Sequence, residues 1–294
     1  MQMDIDEIIE RTLQEDLGDG DHTSLATILP DSKGKAKLII KNDGIICGLP
    51  VAEKVFRKVD PDLLLELFTT DGSVVETGEI ALTVEGRIRS ILAAERTVLN
   101  FMQRLSGIAT YTFRMNREIK GTKAKILDTR KTTPLMRELE KYAVRTGGGI
   151  NHRFGLYDMI LIKDNHVDYA NGIVNAISSV QKYLESTGRT LKIEIEVRTF
   201  QELLEVINYG GVDRIMLDNF TPEDVASAVK LVKGRFETEA SGGIQLGNIR
   251  QYAESGVDFI SVGGLTHRFS SLDMSLKAEK ALYWETVNGK KNKH

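Results

Sequence analysis

A single cysteine, Cys47, stands in 294 residues, so neither an internal disulfide framework nor a zinc site built from several cysteines is available to one chain. A reducing compartment, the cytoplasm, is the expected location. No apolar run approaches the length of a membrane span, and the start, MQMDIDEIIE, lacks the basic segment and apolar core of a secretory signal. Nor is there a global excess of charge. The formal net charge is -3, too small a field to draw in nucleic acid or an anionic membrane. Residues 71–86, DGSVVETGEIALTVEG, have the turn-and-strand rhythm of the swinging-arm modules that carry biotin or lipoate, but contain no lysine for attachment. They are structural.

Basic character is therefore local, and it is concentrated in RTGGGINHRFGLYDMILIK, from Arg145 to Lys163. Three glycines, Gly147 to Gly149, end a helical segment in a backbone few other residues follow. A loop with Asn151, His152 and Arg153 comes next, then the apolar run Tyr157 to Ile162, which reads as a buried strand with Lys163 and Asp164 at its C-terminal end. With Arg130 and Lys131 just before, this set suits a small ligand bearing several negative groups, because guanidinium binds carboxylate or phosphate through two prongs while lysine acts as a point charge.

Around this stretch the chain changes rhythm. Residues 4–17 carry Ile5, Ile8, Ile9, Leu13 and Leu17 at helical spacing, and GDGDHTS after them reads as a loop in which His22 is structural. Short strands are expected over 36–40, 45–47 and 63–69, with a helix over 50–59 and a long helix over about 90–120. After Gly121 strands at 124–127, 158–162, 191–197, 214–217, 236–240 and 259–262 alternate with helices near 135–146, 168–186, 199–209, 222–233 and 245–255. Such alternation predicts parallel strands with helical crossovers. The expected domains are 1–120, an N-terminal α/β unit, and 121–270, with a C-terminal helix at about 271–287 rejoining the first and a frayed tail at 288–294.

The polar residues decide between a doubly wound sheet and a barrel. Each candidate strand ends on chemistry: Asp128-Thr129-Arg130-Lys131, Lys163-Asp164-Asn165-His166, Glu194-Ile195-Glu196, Asp218-Asn219, Ser241-Gly242-Gly243 and Gly263-Gly264. Parallel barrels put their sites at this face, and six visible strands predict an open, incomplete α/β barrel. Arg130, His152, Arg153 and Lys163 suit carboxylates. Glu196 and Asp218 suit magnesium or the hydroxyls of a sugar. Glu194, two residues from Glu196, has the same side-chain orientation, so one of the pair is expected to face the barrel core or a lysine partner. The glycine turns at 241–243 and 263–264 let backbone N–H groups approach a phosphate.

TRKTTP (129–134), GGGINHRFGLYDMILIKDNH (147–166), IEIEV (193–197), LDNF (217–220), EASGGI (239–244) and ISVGGLTH (260–267) together resemble the quinolinate phosphoribosyltransferases, the carboxylating nicotinate-nucleotide pyrophosphorylases; ERT (95–97) and LSGIAT (105–110) fit as well. The resemblance spans nearly the whole chain. It implies an N-terminal α/β sandwich before the open barrel, and the conversion of quinolinate and phosphoribosyl pyrophosphate to nicotinate mononucleotide, pyrophosphate and carbon dioxide, with magnesium, in NAD biosynthesis. It further implies that Arg130, His152, Arg153 and Lys163 grip quinolinate, joined by Arg96 from the other subunit of a homodimer. Lys131 would meet the pyrophosphate of the donor, Glu196 and Asp218 its ribose and the metal, and Ser241, Gly242, Gly263 and Gly264 its 5'-phosphate, with Thr129 and Gly243 also among the residues that bind the donor. Two positions depart from the family pattern: Gly264 stands where alanine is common, and Arg268 where a serine is usual. The rival readings are a same-fold enzyme for another acid such as nicotinate, and a Schiff-base barrel aldolase using Lys163.

Overall fold

The computed structural model describes residues 5–279, and these fall into two compact units, 5–110 with 270–279, and Tyr111–Phe269. Among the described residues the strands are β1 Lys33–Ile40, β2 Gly44–Ile45, β3 Leu64–Leu67, β4 Val74–Val75, β5 Ile80–Arg87, β6 Lys125–Leu127, β7 Ile160–Ile162, β8 Ile193–Val197, β9 Arg214–Asp218, β10 Glu237–Ser241, β11 Phe259–Ser261 and β12 Met274–Ala278. The division between units falls inside the helix Ile88–Glu118, not after residue 120. The reason is local bonding: Ser106 Oγ accepts the Cys47 N–H at 2.8 Å and Thr110 Oγ1 that of Ile45 at 2.9 Å, tying the earlier turns of the helix to the first unit.

The first unit is built on a four-stranded antiparallel sheet, β12-β1-β5-β3. Ala36, Leu38 and Ile40 turn inward along β1 with a period of two, as a half-buried strand requires. The segment expected to open a C-terminal helix at about 271–287 is instead extended over β12, where Met274 and Leu276 face Ile40 and Leu38 across the pair. Helix-forming Lys, Ala and Leu yield there to a sheet edge with backbone partners to offer. The rest of that expected helix and the expected tail at 288–294 lie outside the described residues. A second correction concerns GDGDHTS: His22–Thr27 is a short helix, because the Asp21 carboxylate accepts the Ser24 N–H at 3.0 Å and caps it.

The second unit is a six-stranded, all-parallel sheet in the order β6-β11-β10-β9-β8-β7. Strands β7 to β11 are neighbours in sequence order, and β11 pairs back with β6. Only the β6–β7 seam is open, so the sheet is a barrel lacking one ladder. Helices connect each of β6 to β10 to the next strand of the barrel; the helix expected over 168–186 is broken into Asp164–Tyr169 and Ile173–Thr187 by left-handed Asn171 and by Gly172 at φ +120°. Among the described residues no helix is long and apolar enough to cross a membrane.

Candidate active site

At the C-terminal ends of the barrel strands lies a cleft of about 700 Å³. Thr129, Arg130, Lys131, His152, Arg153, Lys163, Glu196, Asp218, Ser241, Gly242, Gly243, Gly263 and Gly264 all line it. Of the residues singled out in the sequence, Arg96 alone belongs to the first unit; it is exposed on Ile88–Glu118.

The cation loop is held across the open seam. The helix Arg137–Thr146 ends at Gly147, and Gly148, at φ +87°, turns the chain back. A side chain at Gly149 would lie 2.7 Å from Val144 Cγ1 and 2.9 Å from Thr112 Cγ2, so only glycine passes there. Ile150 then bridges to Leu127 of β6, its N–H donating to Ile126 O at 2.8 Å and its carbonyl accepting from Asp128 N at 3.2 Å. Below the loop the fully buried Asp128 carboxylate accepts from Asn151 Nδ2 at 2.5 Å, from His152 N at 2.8 Å and from the buried Lys141 ammonium. Burial pushes the Asp128 carboxyl up and the Lys141 ammonium down, so each depends on the other to stay charged.

His152 has no ring nitrogen to spare. The Arg153 N–H donates to Nδ1 at 2.7 Å, which makes Nδ1 the acceptor and leaves the proton on Nε2, and Nε2 donates to Glu194 Oε2 at 2.9 Å. Burial lowers the imidazole's pKa and keeps it neutral. It lines the cleft with carbon. Arg153 is the opposite case. It is 8% exposed, yet its guanidinium makes one hydrogen bond, from Nη1 to Met159 O at 3.2 Å. Burial and the neighbouring Arg130 both depress its pKa, so the cleft presents a partly desolvated cation with N–H donors to spare.

Opposite these cations stand the acids. The Lys163 ammonium is 3.4 Å from Glu196 Oε2 and half exposed, a solvated ion pair and not the desolvated amine a Schiff-base nucleophile requires. Burial, and then Asp218 on the adjoining strand β9, raise the Glu196 carboxyl, while Lys163 opposes them. Asn219, left-handed at φ 58°, donates Nδ2 to Asp218 Oδ2 at 2.6 Å and fixes that carboxylate. A Cβ on Gly242, at φ +102°, would come within 2.2 Å of Asn219 Oδ1. Gly242 is therefore required by the residue that orients Asp218.

Beneath the cleft lies a group the motifs alone do not disclose. Glu239 is fully buried, 3.0 Å from Arg214 Nη1 and 3.6 Å from His152 Nε2, and Glu194 lies beside it. Its trace in the sequence is charge where a buried strand should have none: Glu194 in β8, Arg214 in β9, Glu239 in β10. His152, Glu194 and Glu239 have donor atoms within 4.8 Å of one another; His152 Nε2 engages Glu194 Oε2 and Arg214 engages Glu239 Oε2, while Glu194 Oε1 and Glu239 Oε1 are buried without a hydrogen-bond partner. Burial pushes Glu194 up to about 7 and Glu239, with Glu194 against it, up to about 8. The pair thus retains a proton at neutral pH. Between pH 4.5, where an unfolded glutamate titrates, and about 8 the folded state binds protons the unfolded chain releases, so this pair makes stability fall as pH rises. Glu239→Gln removes that loss; its melting temperature relative to wild type is expected to climb from pH 5 to pH 9. A difference independent of pH would show that Glu239 is ionised throughout.

Two family models match the chain: quinolinate phosphoribosyl transferase, N-terminal domain, over residues 21–106, and the C-terminal domain over 108–277. The chain is 45% identical to a chloroplastic, carboxylating nicotinate-nucleotide pyrophosphorylase of Oryza sativa subsp. japonica, over 95% of this chain and 79% of the relative. It is 41% identical to a probable carboxylating nicotinate-nucleotide pyrophosphorylase of Bacillus subtilis (strain 168), over 93% of each. The solved nicotinate-nucleotide pyrophosphorylase of Francisella tularensis is similar with a TM-score of 0.88 and 39% identity, covering 94% of this chain and 96% of that one.

Proposed function

The chain belongs to the quinolinate phosphoribosyltransferase family, and from that premise we propose how its cleft divides the reaction among its residues. The activity is that of a carboxylating nicotinate-nucleotide pyrophosphorylase: quinolinate and phosphoribosyl pyrophosphate give nicotinate mononucleotide, pyrophosphate and carbon dioxide. The observation that carries the assignment of roles is the buried, under-bonded Arg153 beside Arg130, in one cleft with the Lys163–Glu196 ion pair and Asp218.

Arg153, Arg130 and Lys163 receive the two ring carboxylates, and His152 acts as a rigid apolar wall with its ring nitrogens bonded away. Held so, the pyridine nitrogen faces the anomeric carbon, and the entropy of bringing two anions together is met by binding. As the N–C bond forms and the C–O bond to pyrophosphate breaks, positive charge grows on the ribose, where Glu196 and Asp218 stabilise it. Thr129 and Lys131 sit on the leaving-group side. The Thr129 hydroxyl accepts the Lys131 N–H at 3.0 Å and shapes that turn. The carboxylate next to the quaternised nitrogen is then lost as carbon dioxide, its bonding electrons entering the cationic ring, and the ring carbon takes up a proton.

Glu196 and Asp218 fit magnesium as a donor set: two hard carboxylates on adjoining strands, each raised or fixed by its neighbours, with the remaining ligands left to water and phosphate. The ion would supply charge neutralisation to the departing pyrophosphate. Ser241, Gly242, Gly243, Gly263 and Gly264 form the cradle for the 5'-phosphate. We further assign a homodimer in which Arg96 of one subunit completes the quinolinate site of the other, and a cytoplasmic location, in keeping with one buried cysteine, Cys47.

Carbon dioxide release from carboxyl-labelled quinolinate tests the reading. It is expected only when phosphoribosyl pyrophosphate and magnesium are both present. Pyrophosphate formed with nicotinate in place of quinolinate would discard the diacid clamp.

A further inference from the structure

Arg268 is a departure from the family pattern that adds charge, and the structure places it at the cleft. It follows the turn Gly263–Thr266, and its N–H donates to Gly264 O at 2.8 Å. Its stem lies along Gly264: a Cβ there would be 3.4 Å from Arg268 Cδ, 3.6 Å from Cβ and 3.7 Å from Cγ, ordinary contact distances. The arginine stem therefore leaves room for a methyl at this position. Its guanidinium lines the cleft and is exposed, with no hydrogen bond or ion pair among the described residues. Arg198 and Arg250 of this unit, by contrast, are neutralised, Arg198 by Asp168 and Glu202 and Arg250 by Glu254.

Lys131, a second cation, stands at the same turn. The side chain of Lys131 passes Gly263, with Cδ 3.1 Å from where a Cβ would stand, and His267 Cε1 is 3.7 Å from the same point. The Thr266 hydroxyl donates to Lys131 O at 2.6 Å and binds the two loops together. No carboxylate is paired with Lys131 or Arg268 among the described residues, whereas the acids of the cleft, Glu196 and Asp218, are engaged by Lys163 and Asn219. Lys131 and Arg268 thus stand at this end without a paired carboxylate among the described residues.

We infer that Arg268 binds the 5'-phosphate of phosphoribosyl pyrophosphate, adding a charge-assisted contact to the glycine and serine turns that Lys131 borders. The inference rests on the assignment of the Gly263–Gly264 turn to that phosphate. Gly264 does not enforce it, since an alanine would meet the arginine stem at contact distance; the charge is what distinguishes this chain.

The test uses the full chain and two probes measured by calorimetry: ribose 5-phosphate, which carries the monoester alone, and inorganic pyrophosphate. Arg268→Ser is expected to weaken ribose 5-phosphate by about tenfold, the share of one charge-assisted hydrogen bond at an exposed site, and to raise the KM for phosphoribosyl pyrophosphate in parallel. Pyrophosphate affinity and the KM for quinolinate should hold. Arg268→Lys should recover part of the loss, keeping the charge without the fork. Unchanged ribose 5-phosphate affinity in an enzyme that still releases carbon dioxide would overturn the role of Arg268 and leave the reaction intact. Weakening of pyrophosphate instead would move the guanidinium to the leaving group and overturn it equally. A wild-type chain that releases no carbon dioxide would remove the underlying reading first.

Discussion

Replacing Arg153 by methionine is expected to raise the KM for quinolinate by about two orders of magnitude while leaving that for phosphoribosyl pyrophosphate nearly unchanged. The arginine is 8% exposed and spends only one of its donors on protein, at Met159 O, so it has given up water without being paid in hydrogen bonds. A dicarboxylate supplies what is missing. Losing one partner of such a buried charge pair costs roughly 2–4 kcal/mol, a factor of about 30 to 1,000. Lysine should rescue little, since the planar fork matters as much as the charge. Steady-state kinetics with each substrate varied in turn decides the matter, and equal effects on both KM values would sink the clamp.

The second large effect is on stability. Lys141→Met leaves the Asp128 carboxylate fully buried with its cation gone, and removing one partner of a buried pair typically costs about 3–5 kcal/mol. That is a large share of the total for a domain of this size, commonly about 5–15 kcal/mol. Because burial outweighs attraction for both partners, the pair itself adds little net stability. Asp128→Asn added to Lys141→Met should therefore recover much of the loss. Denaturant unfolding measures both variants. A single variant within about 1 kcal/mol of wild type, the range of a solvated surface pair, would show that the site is open to water. Quinolinate binding should fall with stability in Lys141→Met, since Asp128 also holds Asn151 and the His152 N–H beneath the clamp.

The chain disclosed its catalytic face because parallel strands buried on both sides read as short apolar runs, and whatever follows each run stands at one end of the barrel. Arg130, Lys163, Glu196, Asp218 and the two glycine turns were placed that way. Glu239 and Arg214 were not: in a single strand a buried acid looks like any polar residue, and only the pairing of β8, β9 and β10 shows that the charges face one another. The two acids of IEIEV met different ends, Glu196 at Lys163 and Glu194 at His152, though a period of two gives them the same side.

The sequence by itself determined the alternation of strand and helix, the open barrel and which polar groups end each strand, since these follow from local periodicity and from which residue types follow each apolar run. Tertiary structure decided what those groups are free to do. His152 and Arg153 are adjacent in a basic loop, yet the fold bonds away both nitrogens of one and leaves the other's donors facing the cleft. It likewise turned 274–278 into β12, because an unpaired sheet edge outweighs local helix propensity. Hydrogen-bond partners and burial come from chain segments distant in sequence, and no local pattern carries them.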